Sequence, residues 1–303
     1  MDRALTRTHE VSGRREQLEQ VFDDPGLRAR LHRGAHRTVV EMTAAIFRMA
    51  GPGVARELPT LQALEIVHHL PTLPAACDGV RLLQVTDLHL ESLPAPEAAV
   101  DAMRGLAWDV LICTGDVAEG PSAAALIRSF FGPLVKASSK PCLAVLGNHD
   151  RSHLLPVLAE TGVDVLMNEA RALQFGGNLL WMAGVDDPAT FGTGDLERAW
   201  SGVPPGACVV LLAHAPDLAE EAAARHCALY LCGHTHGGQI RIPGLGPLAY
   251  RTRYPHDRIA GRWACHGMPG YTSVGLGAHH GLVRVGCTPE IAVHVLRSAP
   301  APA

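Results

Sequence analysis

Three features of the sequence predict a layered α/β protein. From Val80 onward, short runs rich in Val, Ile and Leu alternate with stretches of helical character. The runs are bounded by turn residues, as expected of strands buried on both faces. Five of the runs also end in polar side chains: Asp87-Leu88-His89, Gly115-Asp116, Gly147-Asn148-His149-Asp150, Ala213-His214 and Gly233-His234-Thr235-His236-Gly237-Gly238. In open α/β sheets, ligands gather beyond the carboxyl ends of the strands.

Residues 1–75 differ from the rest. After Pro25-Gly26, Leu27, Leu31, Val39, Met42 and Ile46 fall near helical spacing, interleaved with Arg28, Arg30, Arg33 and Arg37. Residues 26–40 hold four Arg and no acid. Such a basic amphipathic segment either packs its apolar stripe on the main domain or makes peripheral contact with an anionic membrane through residues 27–46. Gly51-Pro52-Gly53 ends it, and Pro71 and Pro74 mark a linker. The expected organisation is an N-terminal helical, partly amphipathic segment (1–75), a main domain (76–298) and a Pro/Ala-rich disordered tail (299–303). Strands are expected at Val80–Thr86, Asp109–Thr114, Cys142–Leu146, Leu179–Val185, Cys208–Ala213 and Ala228–Cys232. Helices are expected at Glu97–Leu106, Ser122–Ala137, Leu154–Thr161 and Asp217–Arg225, with Ser122 as an N-cap.

The 303 residues suffice for one large α/β domain with an appendage, and 47% hydrophobic with 18% charged residues is the composition of a soluble globular chain. A net charge of −4 gives no reason to expect nucleic-acid binding, and 17 histidines invite a metal reading. No run reaches the ~20 apolar residues of a membrane span, and the first 25 residues are polar, without a signal-peptide core. The eight cysteines form no Cys-x-x-Cys pair; Cys113, Cys142, Cys208 and Cys232 lie in apolar runs, as small buried hydrophobes do. That usage implies a reducing compartment, hence a cytoplasmic location, at the inner face of the membrane if the basic segment touches lipid.

The polar strand ends supply seven candidate metal ligands: Asp87, His89, Asp116, Asn148, His214, His234 and His236. Carboxylate, amide oxygen and imidazole suit Mn, Fe or Zn, with Mn²⁺ the expected choice. Seven ligands are too many for one ion with an open position, and they suit two divalent ions bridged by one carboxylate; Asp116, alone between ligand pairs, is the natural bridge. Two such ions stabilise the attacking and leaving oxygens of a phosphoryl displacement and turn a bridging water into a hydroxide nucleophile near neutral pH. His149 is then available as the general acid for the leaving alkoxide.

The ordered set Asp-x-His, Gly-Asp, Gly-Asn-His-Asp, a lone His and Gly-His-x-His resembles the calcineurin-like metallophosphoesterase superfamily, from about Val80 to Arg297. The resemblance implies a four-layer β-sandwich of two mixed sheets flanked by helices, in place of an open parallel sheet. It implies that Asp87, His89 and His236 hold one metal, that Asn148, His214 and His234 hold the second, and that His149 is oriented by an acid three residues after the bridge. That acid is Glu119 here, where Asp is more usual; Asp150 is the alternative partner. Gly237-Gly238-Gln239-Ile240-Arg241, Ser273–Gly277 and Pro289-Glu290-Ile291 resemble the bacterial branch of YaeI-type phosphodiesterases and UDP-2,3-diacylglucosamine pyrophosphatases.

Around this set, Arg284 is expected either to contact a substrate phosphate or to be a surface strand charge. His279, with His280, is a candidate substrate contact or a solvated loop residue. Arg251, Arg253, His256 and Arg258 either bind an anionic headgroup or nucleotide or form a solvated loop. The function expected is hydrolysis of a phosphodiester or pyrophosphate bond in a phosphorylated small molecule or lipid. The alternatives are a phosphomonoesterase or phosphoprotein phosphatase and, in another class, a non-catalytic scaffold on the same fold. Oligomeric state is left open.

Overall fold

The computed structural model describes residues 12–20, 61–120, 122–242, 246–247, 255–278 and 284–299. A helical stretch, α1, occupies 12–20. The elements that follow are β1 (Gln62–Leu70), β2 (Arg81–Val85), α2 (Pro96–Arg104), β3 (Val110–Thr114), α3 (Ala123–Ala137), β4 (Cys142–Val145), α4 (Leu154–Thr161), β5 (Val163–Val165), β6 (Glu169–Phe175) and β7 (Asn178–Gly184). Then come α5 (Leu196–Trp200), β8 (Val209–Leu212), α6 (Ala219–Ala224), β9 (Leu229–Cys232), β10 (Arg241–Ile242), β11 (Gly246–Pro247), β12 (Gly261–Cys265), β13 (Met268–Thr272) and β14 (Glu290–Ser298).

The strands build two six-stranded mixed sheets, ordered β1-β14-β2-β3-β4-β5 and β12-β13-β9-β8-β7-β6, with β10 and β11 paired apart. Within each strand, alternate residues face opposite layers. On β2 and β3, Leu82, Val110 and Ile112 meet Met182, Val210, Leu212 and Leu231 of the other sheet. Their neighbours Leu83, Val85, Leu111 and Cys113 meet Met103, Phe130, Phe131, Leu134 and Leu158 of α2, α3 and α4. The second sheet turns Val209, Leu211, Tyr230 and Trp263 outward against α5 and α6. The result is the expected helix–sheet–sheet–helix sandwich. Apolar burial on both faces explains why these strands read as unbroken Val/Ile/Leu runs.

Two expectations need correction. The boundary placed at residue 75 falls too late, because Gln62–Leu70 is not helical. It is a nine-residue strand paired in parallel with β14 from Gln62↔Glu290 to Leu70↔Ser298. This edge strand buries Ile66, His68 and Leu70 and exposes Gln62, Ala63, Glu65 and His69, so its half-polar pattern did not stand out as an apolar run. Ser122 stands at the start of α3, but its side chain makes no capping hydrogen bond. The amphipathic segment 27–46 lies outside the described residues. Among the described residues no helix is long and apolar enough to cross a membrane, and all eight cysteines are buried and unbridged.

Candidate active site

Strands β2, β3 and β4 run parallel in one sheet, and β8 and β9 run parallel in the other. The loops leaving their carboxyl ends meet at one edge of the sandwich. Asp87 and His89 follow β2, Asp116 follows β3, and Asn148, His149 and Asp150 follow β4. His214 follows β8, and His234 and His236 follow β9. Backbone hydrogen bonds carry the strand ladders on into these loops: Asp87 N to Gly115 O (2.9 Å), His89 N to Asp116 O (3.1 Å) and Gly233 N to His214 O (2.8 Å). The turns are sharp. Asp87, His89, Asp116, His234 and His236 all adopt φ between 42° and 73°, a region that costs a non-glycine residue about 1–3 kcal/mol and persists where surrounding structure enforces it. Two glycines allow the close approach. A Cβ on Gly147 would overlap the Asp116 carboxylate, and one on Gly233 would overlap Thr86 Oγ1 and Asp87 Oδ2.

The side chains form two groups able to hold a metal ion. Asp87, His89, Asp116 and His236 make the first, and Asp116, His214 and His234 the second; within each, the donor atoms lie within 4.8 Å of one another. Asp116 belongs to both. Its Oδ1 accepts from the His149 backbone N–H (2.8 Å), and its Oδ2 lies 3.2 Å from His214 Nε2 and 3.7 Å from His89 Nε2. Asn148 joins the second group through Oδ1, 3.1 Å from His214 Nε2. His214 Nδ1–H donates to the Thr114 carbonyl (2.7 Å), which fixes the ring and turns Nε2 inward.

The donor set fits divalent cations. Asp87 is fully buried; Thr86 Oγ1 (2.9 Å) and His234 N (3.0 Å) donate to its Oδ2. Its Oδ1 has no hydrogen-bond partner and stands 3.3 Å from His236 Nε2, itself 3.4 Å from His89 Nε2. Donor atoms that face a common point rather than one another are the arrangement of ligands around an ion. The local field agrees. Burial disfavours the Asp116 carboxylate, yet His214, His149 and His89 outweigh it and hold the group well below the usual carboxylate range. Burial opposes charge on His214, but Asp116 and Asp87 raise it to about 10. The cluster stabilises positive charge at its centre.

His149 Nδ1 lies 2.8 Å from Glu119 Oε1, which also lies 3.3 Å from His89 Nδ1. Burial would raise Glu119, but hydrogen bonds from His149 and His89 keep it far below its ordinary value, so it is a carboxylate at neutral pH. The longer Glu side chain therefore reaches the position expected of Asp, helped by Glu91, whose Oε1 accepts from Glu119 N (2.9 Å) and Gly120 N (2.7 Å).

Two expected roles are not borne by the geometry. Asp150 does not partner His149. Its buried carboxylate accepts from Asp116 N (2.8 Å), Val117 N (2.6 Å) and Gly147 N (2.8 Å), stapling the β3 and β4 loops together. Arg284 is half-buried rather than a surface charge. Its guanidinium donates to the Gly277 and Val274 carbonyls and reaches His236 Nδ1 at 3.3 Å, bracing the second sheet's loop from behind. His279 lies outside the described residues, as do Arg251 and Arg253. Arg258 instead pairs with Glu220 at 2.8 Å. Sequence reasoning missed Thr86 and Thr114, which orient ligands, Glu91, which holds the Glu119 backbone, and Arg15, whose side chain from α1 enters the β4 loop.

Comparison with known proteins accords with this arrangement. Residues 80–238 match the family described as calcineurin-like phosphoesterase. The chain is 27% identical over 263 residues to the uncharacterized metallophosphoesterase YkuE of Bacillus subtilis (strain 168), covering 82% of this chain and 90% of that protein. It is 36% identical over 169 residues to phosphodiesterase YaeI of Escherichia coli (strain K12), covering 51% of this chain and 58% of that protein. Among solved structures, that of a 5'-nucleotidase precursor from Thermus thermophilus aligns with a TM-score of 0.43 at 15% identity, over 65% of this chain and 49% of that one. Sandwich, paired Asp/His groups and relatives together define a metallophosphoesterase, a hydrolase of phosphoester bonds. The chain belongs to the calcineurin-like phosphoesterase family.

Proposed function

We propose that this protein hydrolyses a phosphodiester or pyrophosphate bond at a dinuclear metal centre. In this reading Asp87, His89 and His236 would hold one divalent ion, Asn148, His214 and His234 would hold the other, and Asp116 would serve both. The observation that carries it is the sharing of one buried carboxylate by two ligand groups, with the His149–Glu119 pair beside them. Bound divalent ions supply electrostatic stabilisation of the phosphoryl oxygens and an acidified water. His149 protonates the departing alkoxide. Glu119 accepts from His149 Nδ1, which keeps the proton of Nε2 directed at the leaving group. Mn²⁺ is the metal we favour, with Fe or Zn compatible with the same donors.

A diester is supported by the likeness to a relative named as a phosphodiesterase. A lipid-linked or nucleotide-linked substrate, met at the inner face of a membrane, is the class we favour from the basic stretch at 26–40. The test is hydrolysis of bis-p-nitrophenyl phosphate by Mn²⁺-loaded protein, alongside phosphomonoesters, phosphopeptides, cyclic nucleotides and UDP-linked lipids. Diester or pyrophosphate turnover above the rest supports the reading. Inertness of metal-loaded protein toward every phosphoester and pyrophosphate refutes it and favours a scaffold.

A further inference from the structure

The β4 loop that carries Asn148 and His149 is held from two sides. On the inner side it is tied by the Asp150 carboxylate and by the His149 N–H to Asp116. On the outer side it is tied by Arg15, which is 132 residues away from Gly147 in the chain and has no exposed surface. Arg15 Nη2 donates to the carbonyls of Gly147 (2.5 Å) and Asp150 (2.7 Å), the two residues that flank Asn148-His149. Its Nη1 pairs with buried Asp186, its Nε donates to Glu19 (3.0 Å), and its guanidinium carbon lies 4.6 Å from the centre of the Phe191 ring. Glu19 extends the clamp to Ser152: its Oε1 accepts from Ser152 N (2.9 Å) and its Oε2 from Ser152 Oγ (2.8 Å).

We propose that Arg15 is a positioning residue for the phosphoesterase site, its planar guanidinium fixing the Gly147–Asp150 loop so that Asn148 and His149 face Asp116. The inference rests on the function proposed above. Charge balance for Asp186 needs only a cation. Two loop carbonyls, two carboxylates and one aromatic face met at once need the planar, multiply donating fork that arginine has and lysine lacks. Arg15→Lys therefore separates the roles: neutralisation survives the change and the clamp does not.

The experiment compares full-length wild type, Arg15→Lys and the milder Glu19→Gln by peptide hydrogen exchange and by turnover. In Arg15→Lys, exchange within 147–152 rises by about tenfold or more while peptides covering 87–89 and 234–236 stay at the wild-type rate. Glu19→Gln moves the same peptide in the same direction by less. Misplacing His149 lowers kcat by about 10²-fold on a diester with an alkyl leaving group, which needs the proton. With a p-nitrophenyl leaving group, which departs without it, the loss is smaller. Unchanged exchange at 147–152 in both variants overturns the proposal, as does a rise shared equally by all three regions. Metal-loaded wild-type protein inert toward every phosphoester and pyrophosphate would refute the phosphoesterase reading instead, and the exchange data would still decide whether Arg15 holds the loop.

Discussion

The two halves of the ligand cage are built differently. The half contributed by the first sheet carries the carboxylates, and its shape is set by backbone. Left-handed turns at Asp87, His89 and Asp116 and the Asp150 staple across two loops leave these side chains little freedom. The half contributed by the second sheet carries imidazoles only, and it is registered on its partner by side chains that cross between the sheets. His214 is fixed by the Thr114 carbonyl of β3, and Gln84 of β2 donates both to Thr114 Oγ1 (2.9 Å) and to the Cys232 carbonyl of β9 (3.0 Å). Behind Gln84 a buried chain continues through His294 (2.8 Å) to His68 (3.0 Å) on the edge strand β1. Left-handed turns recur in the second half at His234 and His236, so what sets the first half apart is the Asp150 staple. The second depends on the sheets staying in register. Asp116, on the first half, is the residue shared by the two ligand groups.

The sharpest way to break this comparison is at the shared residue. Asp116→Ala is expected to abolish metal retention and activity together, whereas Asp87→Asn strips one group and leaves the second able to bind; metal content by mass spectrometry separates the two variants. His149→Ala is expected to lower turnover of a diester with an alkyl leaving group by ~10²–10⁴-fold with metal content unchanged, because His149 lies outside both ligand groups. A loss of metal in that variant would instead make His149 part of the cage.

The buried chain behind Gln84 predicts an acid sensitivity. Burial pushes His68 down to about 4, with repulsion from Arg262 and His69 adding to it, and burial holds His294 well below its ordinary value. The unfolded chain takes up protons on these histidines near pH 6.5 and the folded chain does not. Their contribution to stability is therefore complete above pH 6.5 and is lost as the pH falls toward 4. For His68 the loss approaches about 3 kcal/mol. Urea unfolding of metal-free protein at pH 7, 5.5 and 4 should show this slope, and His68→Leu should flatten it. An unchanged slope would mean the His68–His294 chain does not register the sheets. The smallest effect is expected at the staple. Asp150→Asn replaces one acceptor oxygen by an N–H₂ facing backbone donors and should cost about 1–3 kcal/mol, read as a lower melting temperature.

Much of the site was legible because each ligand directly ends a buried strand, where an apolar run stops at a polar residue with no other reason to be there. The sandwich was less so. β12, with its Gly-Arg-Trp-Ala-Cys sequence, exposes alternate residues, and β1 is a half-polar edge, so neither forms an apolar run. Glu119 was readable by its spacing from Asp116. The second tier was not: Asp150 looks like a catalytic acid until its oxygens are seen on backbone amides, and Arg284 reads equally as a surface strand charge until its donors are seen on carbonyls. Arg15 left no signal at all, since a single arginine in a polar segment gives no hint of partners 132 to 171 residues away.

The central claim is that two cations sit on either side of one aspartate. Crystals of the protein grown with Mn²⁺ and measured at the manganese edge test it most directly. The account predicts two anomalous peaks about 3.5–4 Å apart, one among Asp87, His89 and His236, the other among Asn148, His214 and His234, with the Asp116 carboxylate between them. A single peak, or peaks remote from Asp116, would contradict it.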